Sequence, residues 1–322
     1  MRIGKLTNEQ LDELILKKLK HTRSEVVCAP SVGVDCTAVK LENGLASLSC
    51  DPITAAGSDI GRLTVNVSCN DAAASGAEPI GLMITLLLPP SITEEEIGAV
   101  MDEIVAAAEA SHVDVIGGHT EITPAVNRIV TCATVIAKPV GEDFISPKGM
   151  MLGDDIVITK HAGLEGALIM ADKLPAGSDV LSAAELDSVR SFAELTSVVK
   201  EGLYAAKNGA HAMHDVTEGG IFGALWEMSA ASGMGIEFDI GSIPVHPVTR
   251  KLSAYYGVNP YKLISSGSML IACNDGEKLV KGLKALGIDA AVIGKAVDNG
   301  GVVRSFGGRL VEPPEADEIY KV

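Results

Sequence analysis

Four aspartates in this sequence stand where carboxylates do chemistry: Val34-Asp35-Cys36, Cys50-Asp51-Pro52, Cys69-Asn70-Asp71 and His214-Asp215-Val216. Each lies just past an expected strand or just before an expected helix. Mg²⁺ bound together with phosphate takes hard oxygen ligands from several segments, in near-octahedral geometry. Carboxylates at strand ends can converge on one crevice. Singly, each Asp is explained as a helix cap or turn residue; all four in such settings point to a shared site.

The stretch 65–79, VNVSCNDAAASGAEP, is the one around which the chain is organised. The pattern predicts a strand over 63–67, then Asn70-Asp71 opening a small-residue helix before Gly76-Ala77-Glu78-Pro79. An Asp at such a junction sits where backbone N–H groups and the helix dipole gather phosphate, and its carboxylate can hold the metal.

Gly117-Gly118-His119-Thr120-Glu121 follows an expected strand at 113–116. Two glycines admit close backbone approach to a phosphate, and Thr120 adds a hydroxyl donor. A Gly-Gly tight turn explains the same residues. The pentapeptide is neither a Walker A loop nor a GxGxxG fingerprint. In Asp215-Val216-Thr217-Glu218-Gly219-Gly220, Thr217 caps the following helix with acid nearby. The Gly-Gly is left over, and close approach of a ligand or another backbone would explain it. Among the histidines, His119 and His214 draw attention through their neighbours. No Ser-His-Asp arrangement on a strained turn is visible.

The elements that must position these residues alternate. A capped amphipathic helix from Thr7 or Asn8, a strand at 26–27 and a hairpin at 38–41 and 45–49, ended by Asp51-Pro52, come first. A buried strand follows at 80–88, then a helix from Ser91 or Thr93 to about 111 led by three glutamates, and a β-branched strand at 128–137. The polar stretch 141–153 marks a boundary between an N-terminal domain, 1–145, and a C-terminal domain, 146–322. Beyond it the pattern predicts strands at 156–159, 236–240, 269–273 and 291–297, with helices at 164–171, 183–209, 221–232 and 277–286.

Composition sets the outer bounds. With 322 residues the chain has room for about two domains, and a 47% hydrophobic content with 3% aromatics calls for an aliphatic core. The net charge of −16 and the lack of a basic cluster argue against nucleic acid, and an anionic nucleotide would need Mg²⁺ as a bridge. The six cysteines form no C-x-x-C and no zinc spacing with His, as expected of reduced thiols in a cytoplasmic protein. The longest apolar run, nine residues at 80–88, is too short to span a bilayer.

Together these stretches resemble the AIR synthase-like (PurM-like) ATP-binding superfamily over essentially the whole chain. The residues that carry the resemblance are Asp35–Val39, Asp51, Asp59-Ile60-Gly61-Arg62, Asn70-Asp71 with Gly76-Ala77-Glu78-Pro79, Gly117–Glu121 and Asp215–Ile221. The resemblance implies a two-domain α+β fold whose N-terminal sheet pairs with a second subunit into a barrel, giving a homodimer that binds ATP and Mg²⁺. Asp35, Asp51 and Asp71 match the family's metal and phosphate carboxylates. Asn70, Gly117, Gly118, Thr120, Glu121, Thr217, Glu218 and Gly219 are expected at the nucleotide. Asp71, Asp215 and His119 are the candidate catalytic residues.

Of the branches, that of the hydrogenase maturation factor HypE is nearest in layout, which implies activation of an amide or carboxamide acceptor and a maturation partner protein. His119 stands where the family's Gly-Gly-Asp-Thr loop has its acid. Cys36 replaces a second Asp of the thiamine-monophosphate kinase branch. The last cysteine is Cys273, whereas HypE carries its carbamoyl group on a terminal one. An AIR-synthetase-type ligase on a ribonucleotide and a non-catalytic nucleotide-binding scaffold stand as alternatives.

Overall fold

The computed structural model describes residues 7–19, 24–28, 31–34, 36–42, 44–54, 59–141, 143–313 and 316–322. Asp35, and Asn43 in the first hairpin turn, lie outside them. The described residues form two sheets, each six-stranded, with helices against them.

The first sheet is built from β1 (Val26–Cys28), β2 (Thr37–Leu41), β3 (Gly44–Ile53), β4 (Ala77–Leu88), β5 (Asp114–Ile122) and β6 (Val130–Pro139). Its order is β1-β2-β3-β6-β4-β5, antiparallel except where β5 joins β4 in parallel. Ahead of it lies helix α1 (Asn8–Leu14), capped by Thr7. Helices α2 (Ile60–Ala74) and α3 (Glu94–Ser111) pack on the sheet over Leu82, Ile84, Leu86, Ala133 and Val135. Thr93 caps α3 in a reciprocal box with Glu96, as the residue pattern predicts. Leu82 and Ile104 have no exposed surface, and each contributes roughly 1.5–3 kcal/mol by its burial.

The second sheet comprises β7 (Asp155–Thr159), β8 (Ala210–Val216), β9 (Gly235–Phe238), β10 (Ser268–Cys273), β11 (Ala290–Val297) and β12 (Val303–Ser305), in the order β12-β9-β11-β7-β10-β8. Around it run α4 (Leu164–Asp172), α5 (Ala183–Arg190), α6 (Val199–Lys207), α7 (Gly220–Ser232), α8 (Pro247–Tyr256) and α9 (Gly276–Ala285). Helix α7 covers one face through Ile221, Phe222, Leu225 and Met228. On the other face, Ala73 and Ala74 of α2 join the cluster of Met213, Ile271 and Leu283. The two halves therefore share a core, and a Cβ on Gly202 of α6 would come within 2.6 Å of the Ala73 carbonyl oxygen.

Three elements differ from the expectations above. Residues 63–67 are helical, inside α2, because Val65, Cys69, Ala72 and Ala73 recur at helical spacing and are fully buried. That packing overrides the strand preference of Thr64, Val65 and Val67. The long helix expected at 183–209 is broken into α5, a 3₁₀ turn (Ser191–Leu195) and α6. The break at 196–198 is held by side chains from elsewhere, described below. Residues 117–121 are not a loop but the second half of β5. Three elements that the pattern did not announce, β8, α8 and β12, complete the second half.

Candidate functional site

Strand alternation places Ser47, Ser49 and Asp51 on one face of β3, the face toward α2. Asp71, in the last turn of α2, comes down onto the same spot. The Ser49 hydroxyl lies 2.8 Å from Asp51 Oδ2 and also in contact with Asp71 Oδ2. A hydroxyl carries one hydrogen and a carboxylate none. Ser49 can therefore donate to only one of the two acids, and the other contact has no hydrogen of its own.

The setting of Asp71 corrects the expectation that it opens a helix. It sits at the C-terminal end of α2, where the helix dipole is negative and unfavourable to an anion. Phosphate would not gather there through helix N–H groups. A buried and a half-buried carboxylate beside a negative helix end instead suit a cation. Asn70 is also corrected. Its amide donates to the Thr196 carbonyl at 2.8 Å and accepts from the Val198 N–H at 2.7 Å. Its oxygen and one amide hydrogen bond backbone in the second half, so Asn70 acts as a structural tie, with one amide hydrogen left for any ligand. Asn66 adds a bond to Thr196 Oγ1 at 2.8 Å.

Asp71 also lines a cavity of about 20 Å³ between the two halves, together with Cys36, Ser75, Phe144, His214 and Asp215. That volume holds about one water or a small ion. His214 and Asp215 reach it from the end of β8, a strand and not the loop expected there. The His214 ring is fixed on both sides: Nδ1 is 2.7 Å from the Asp215 carbonyl oxygen and Nε2 is 3.3 Å from a Glu227 carboxylate oxygen. Val34 and Cys36, the residues on either side of Asp35, both line the cavity. The turn 31–34 is seated on α7, since a Cβ at Gly33, with φ +72°, would meet the Glu227 carbonyl at 2.9 Å.

Hard oxygen donors thus come from three segments, Asp51, Asp71 and Asp215, and they fit Mg²⁺ by chemistry. Among the described residues, no three His, Cys, Asp or Glu side chains gather closely enough to hold a metal by themselves. The expected third ligand, Asp35, lies outside the described residues. The neighbouring thiol of Cys69 is buried and pushed up to about 12, so it is an inert packing group.

The remaining predicted residues lie elsewhere. Gly117, Gly118, His119, Thr120 and Glu121 are on β5, the exposed outer strand of the first sheet. In the ladder, Asp51 pairs Ala133, Ala133 pairs Ile84, and Ile84 pairs Gly118. Three strand spacings, about 14 Å, separate the Gly-Gly pair from Asp51. Gly118, with φ +149°, is required by sheet geometry, since a Cβ there would lie 1.8 Å from the Ile84 carbonyl oxygen. His119 Nε2 is 3.8 Å from Glu121 Oε2, and both are exposed. In a single chain these residues do not join the carboxylates.

Thr217, Glu218 and Gly219 follow β8, but the Gly219 N–H donates to Asp317 at 2.7 Å and Glu218 accepts from Tyr320 Oη at 3.2 Å. The N–H of Gly219, the residue before α7, is thus served by the chain's own carboxylate, where the sequence led to an expectation of a nucleotide contact. The sequence reading missed Ser49, Glu227 and Asp317. Ser49 was within reach, because continuing the period-two alternation through Pro52 puts Ser49 beside Asp51. Nothing in the local sequence announces Glu227 or Asp317.

Comparison with known proteins agrees with this architecture. The family described as AIR synthase related protein, N-terminal domain, matches residues 33–138, and its C-terminal domain matches 152–306. A protein of Methanocaldococcus jannaschii named for hydrogenase expression/formation is 26% identical over 99% of this chain and 97% of its own length. The carbamoyl dehydratase HypE of Escherichia coli is 29% identical over 84% of this chain and 81% of its own. Among solved structures, HypE in a HypE-HypF complex superposes with TM-score 0.77 at 20% identity, covering 95% of this chain and 99% of that one. ThiL in complex with AMPPCP and TMP gives 0.78 at 21% identity, covering 98% of each. The fold is accordingly the two-domain α+β, PurM-like fold, and the chain belongs to the AIR synthase related family.

Proposed function

We propose that this protein is a Mg²⁺- and ATP-dependent enzyme that activates a small amide or carboxamide acceptor by phosphoryl transfer. The observation that carries the reading is the convergence of Asp51 and Asp71 on Ser49, beside a cavity that Asp215 also lines. Asp51 and Asp71, with Asp35, would hold Mg²⁺, and the metal would bridge phosphate oxygens across an acidic surface. Asp215 and His214 would face the transferred group. Relatives support ATP as the donor, since HypE and ThiL have been seen with ATP and with AMPPCP. The division at 145/146 into a nucleotide-binding half and a second half belongs to the same reading.

An acceptor presented by a partner protein belongs to the same reading. Cys273 is buried on β10, and burial pushes its thiol up to about 11, so it does not serve as a carrier. A partner protein presenting the acceptor is consistent with the HypE-HypF complex.

The unit is a homodimer. The β5 edge exposes unpaired strand groups and the apolar side chains of Val115, Ile116 and Ile122, and Ile80 and Met83 of the neighbouring β4 are exposed as well, a combination that a second copy would cover. His119, Thr120 and Glu121 would then lie at the subunit boundary.

Calorimetry with ATP, with and without Mg²⁺, followed by phosphate release on the same sample, tests the reading. Mg²⁺-dependent binding with slow release is expected. Absence of binding at millimolar ATP would overturn it.

A further inference from the structure

Helix α7 begins at a glycine, Gly219, with no side-chain cap of its own, in left-handed backbone at φ 86°. The N–H of that glycine is held by a carboxylate from 98 residues further along the chain. Asp317 is buried, and its carboxylate accepts the N–H groups of Gly219 at 2.7 Å, Ile319 at 2.8 Å and Ile264 at 3.2 Å. One side chain therefore joins three segments: the turn after β8, the loop before β10 and the C-terminal segment itself.

The residues after Asp317 are fastened as well. Tyr320 Oη donates to Glu218 at 3.2 Å, and the Asn259 N–H donates to Glu318 at 3.4 Å. Ile319 and Val322 pack against the cluster of Leu164, Phe192 and Leu252, and Lys173 Nζ donates to the Val322 carbonyl at 3.0 Å. The turn so held, Thr217–Gly219, begins two residues after Asp215.

We propose that the segment Asp317–Val322 is a strap, with Asp317 as a positioning residue that fixes the Thr217–Gly219 turn and through it the Asp215 carboxylate. Strand β8 holds Asp215 from one side by pairing with Met269; the strap holds the other side. The catalytic half of this inference rests on the reading of Asp215 as a site residue.

The test uses the full chain. Asp317→Ala removes that carboxylate, and amide hydrogen exchange over 217–223 is expected to quicken by about five- to thirtyfold. Added formate, a small carboxylate that fits the vacated N–H groups, is expected to restore protection. Phosphate release should fall by about tenfold, while Mg-ATP affinity, set by the first half, changes less. Tyr320→Phe removes the hydroxyl that bonds Glu218 and keeps the ring; it should quicken exchange at the same turn by a few fold, and decides the matter should the Ala variant not fold.

Unchanged exchange in both variants would overturn the strap. Faster exchange with unchanged phosphate release would overturn its role in positioning Asp215. A wild-type protein that binds no Mg-ATP would instead sink the proposed function, and the exchange and formate results would then decide the strap by themselves.

Discussion

Asp51 of β3 and Asp71 of α2 meet at one hydroxyl, that of Ser49. The sheet and the helix are thereby coupled at a point where two acids share a single hydrogen. A cation between or beside the acids relieves their repulsion, and the negative end of α2 adds to the attraction for it.

Asp71→Asn keeps size and shape while removing one charge. Mg-ATP affinity is expected to fall by about ten- to a hundredfold, the usual effect of disturbing a metal site. The thermal midpoint should hold or rise, because one of two repelling carboxylates is gone. Calorimetry and a melting curve on the same preparation check both; unchanged affinity would remove Asp71 from the site.

Asn70→Ala separates the structural from the ligand reading of that residue. It leaves the Thr196 carbonyl and the Val198 N–H without their partner in a buried setting. A loss of about 2–4 kcal/mol is expected from two such groups. Urea unfolding measures it. A variant of full stability that had merely lost nucleotide binding would restore Asn70 to the ligand set.

Lys160 and Glu201 form a buried pair at 2.5 Å, with side chains 9% and 2% exposed, and Lys160 also donates to the carbonyls of Ser197 and Gly267. Together with Asn66 and Asn70 it holds the 196–198 break between α5 and α6. Glu201→Gln strands the ammonium and is expected to cost about 3–5 kcal/mol. The double variant Lys160→Met/Glu201→Leu should recover part of that loss. Denaturation midpoints of the two variants provide the comparison.

Glu165 and Asp317 give stability a definite slope with pH. Burial, with Asp317 and Glu218 nearby, raises the Glu165 carboxyl from 4.5 to about 7, against the pull of Ser266. Burial raises Asp317 from 3.8 to about 6, despite its three N–H donors. Between the unfolded and folded values the native protein binds more protons than the unfolded chain, so stability falls as pH rises. The loss should run from about pH 4 to about pH 7 and level off above, and Glu165→Gln should flatten its upper part. Urea midpoints at pH 5, 6, 7 and 8 would show the slope, and a rise over that range would contradict the assignment.

Light scattering at micromolar concentration should find a dimer. Ile122 is 60% exposed on the outer strand, and Ile122→Asp is expected to shift the protein toward monomer without lowering the monomer's stability. A wild-type monomer would leave the β5 edge without the partner proposed for it.

Much of the fold was legible in the chain because burial on one face imposes a period. Residues 80–88 read as a strand between prolines, Thr93 with three glutamates read as a helix start, and 156–159, 269–273 and 291–297 read as buried strands. Asp51, Asp71 and Asp215 could be singled out from the sequence because four acids recur at expected element ends, and the structure brings Asp51 and Asp71 onto one hydroxyl and sets Asp71 and Asp215 around one cavity. Local composition could not decide between strand and helix at 63–67. β-Branched residues there favour a strand, and only packing between the first sheet and α6 makes the helix the better burial.

Pairing across long separations was equally out of reach. The tie of Asn70 to residues 196–198, the lining of one cavity by Asp71 and Asp215, and the bond from the Gly219 N–H to Asp317 join segments about 100 residues or more apart. Sequence patterns report the free energy of a segment against an average environment. Which polar group satisfies which buried donor is settled only when the segments are packed, since an unpaired one is costly. The chain by itself thus determined most of the elements and the presence of acids at their ends; the tertiary structure decided which of those acids share a hydroxyl or a cavity, and left the Gly-Gly strand at an open edge.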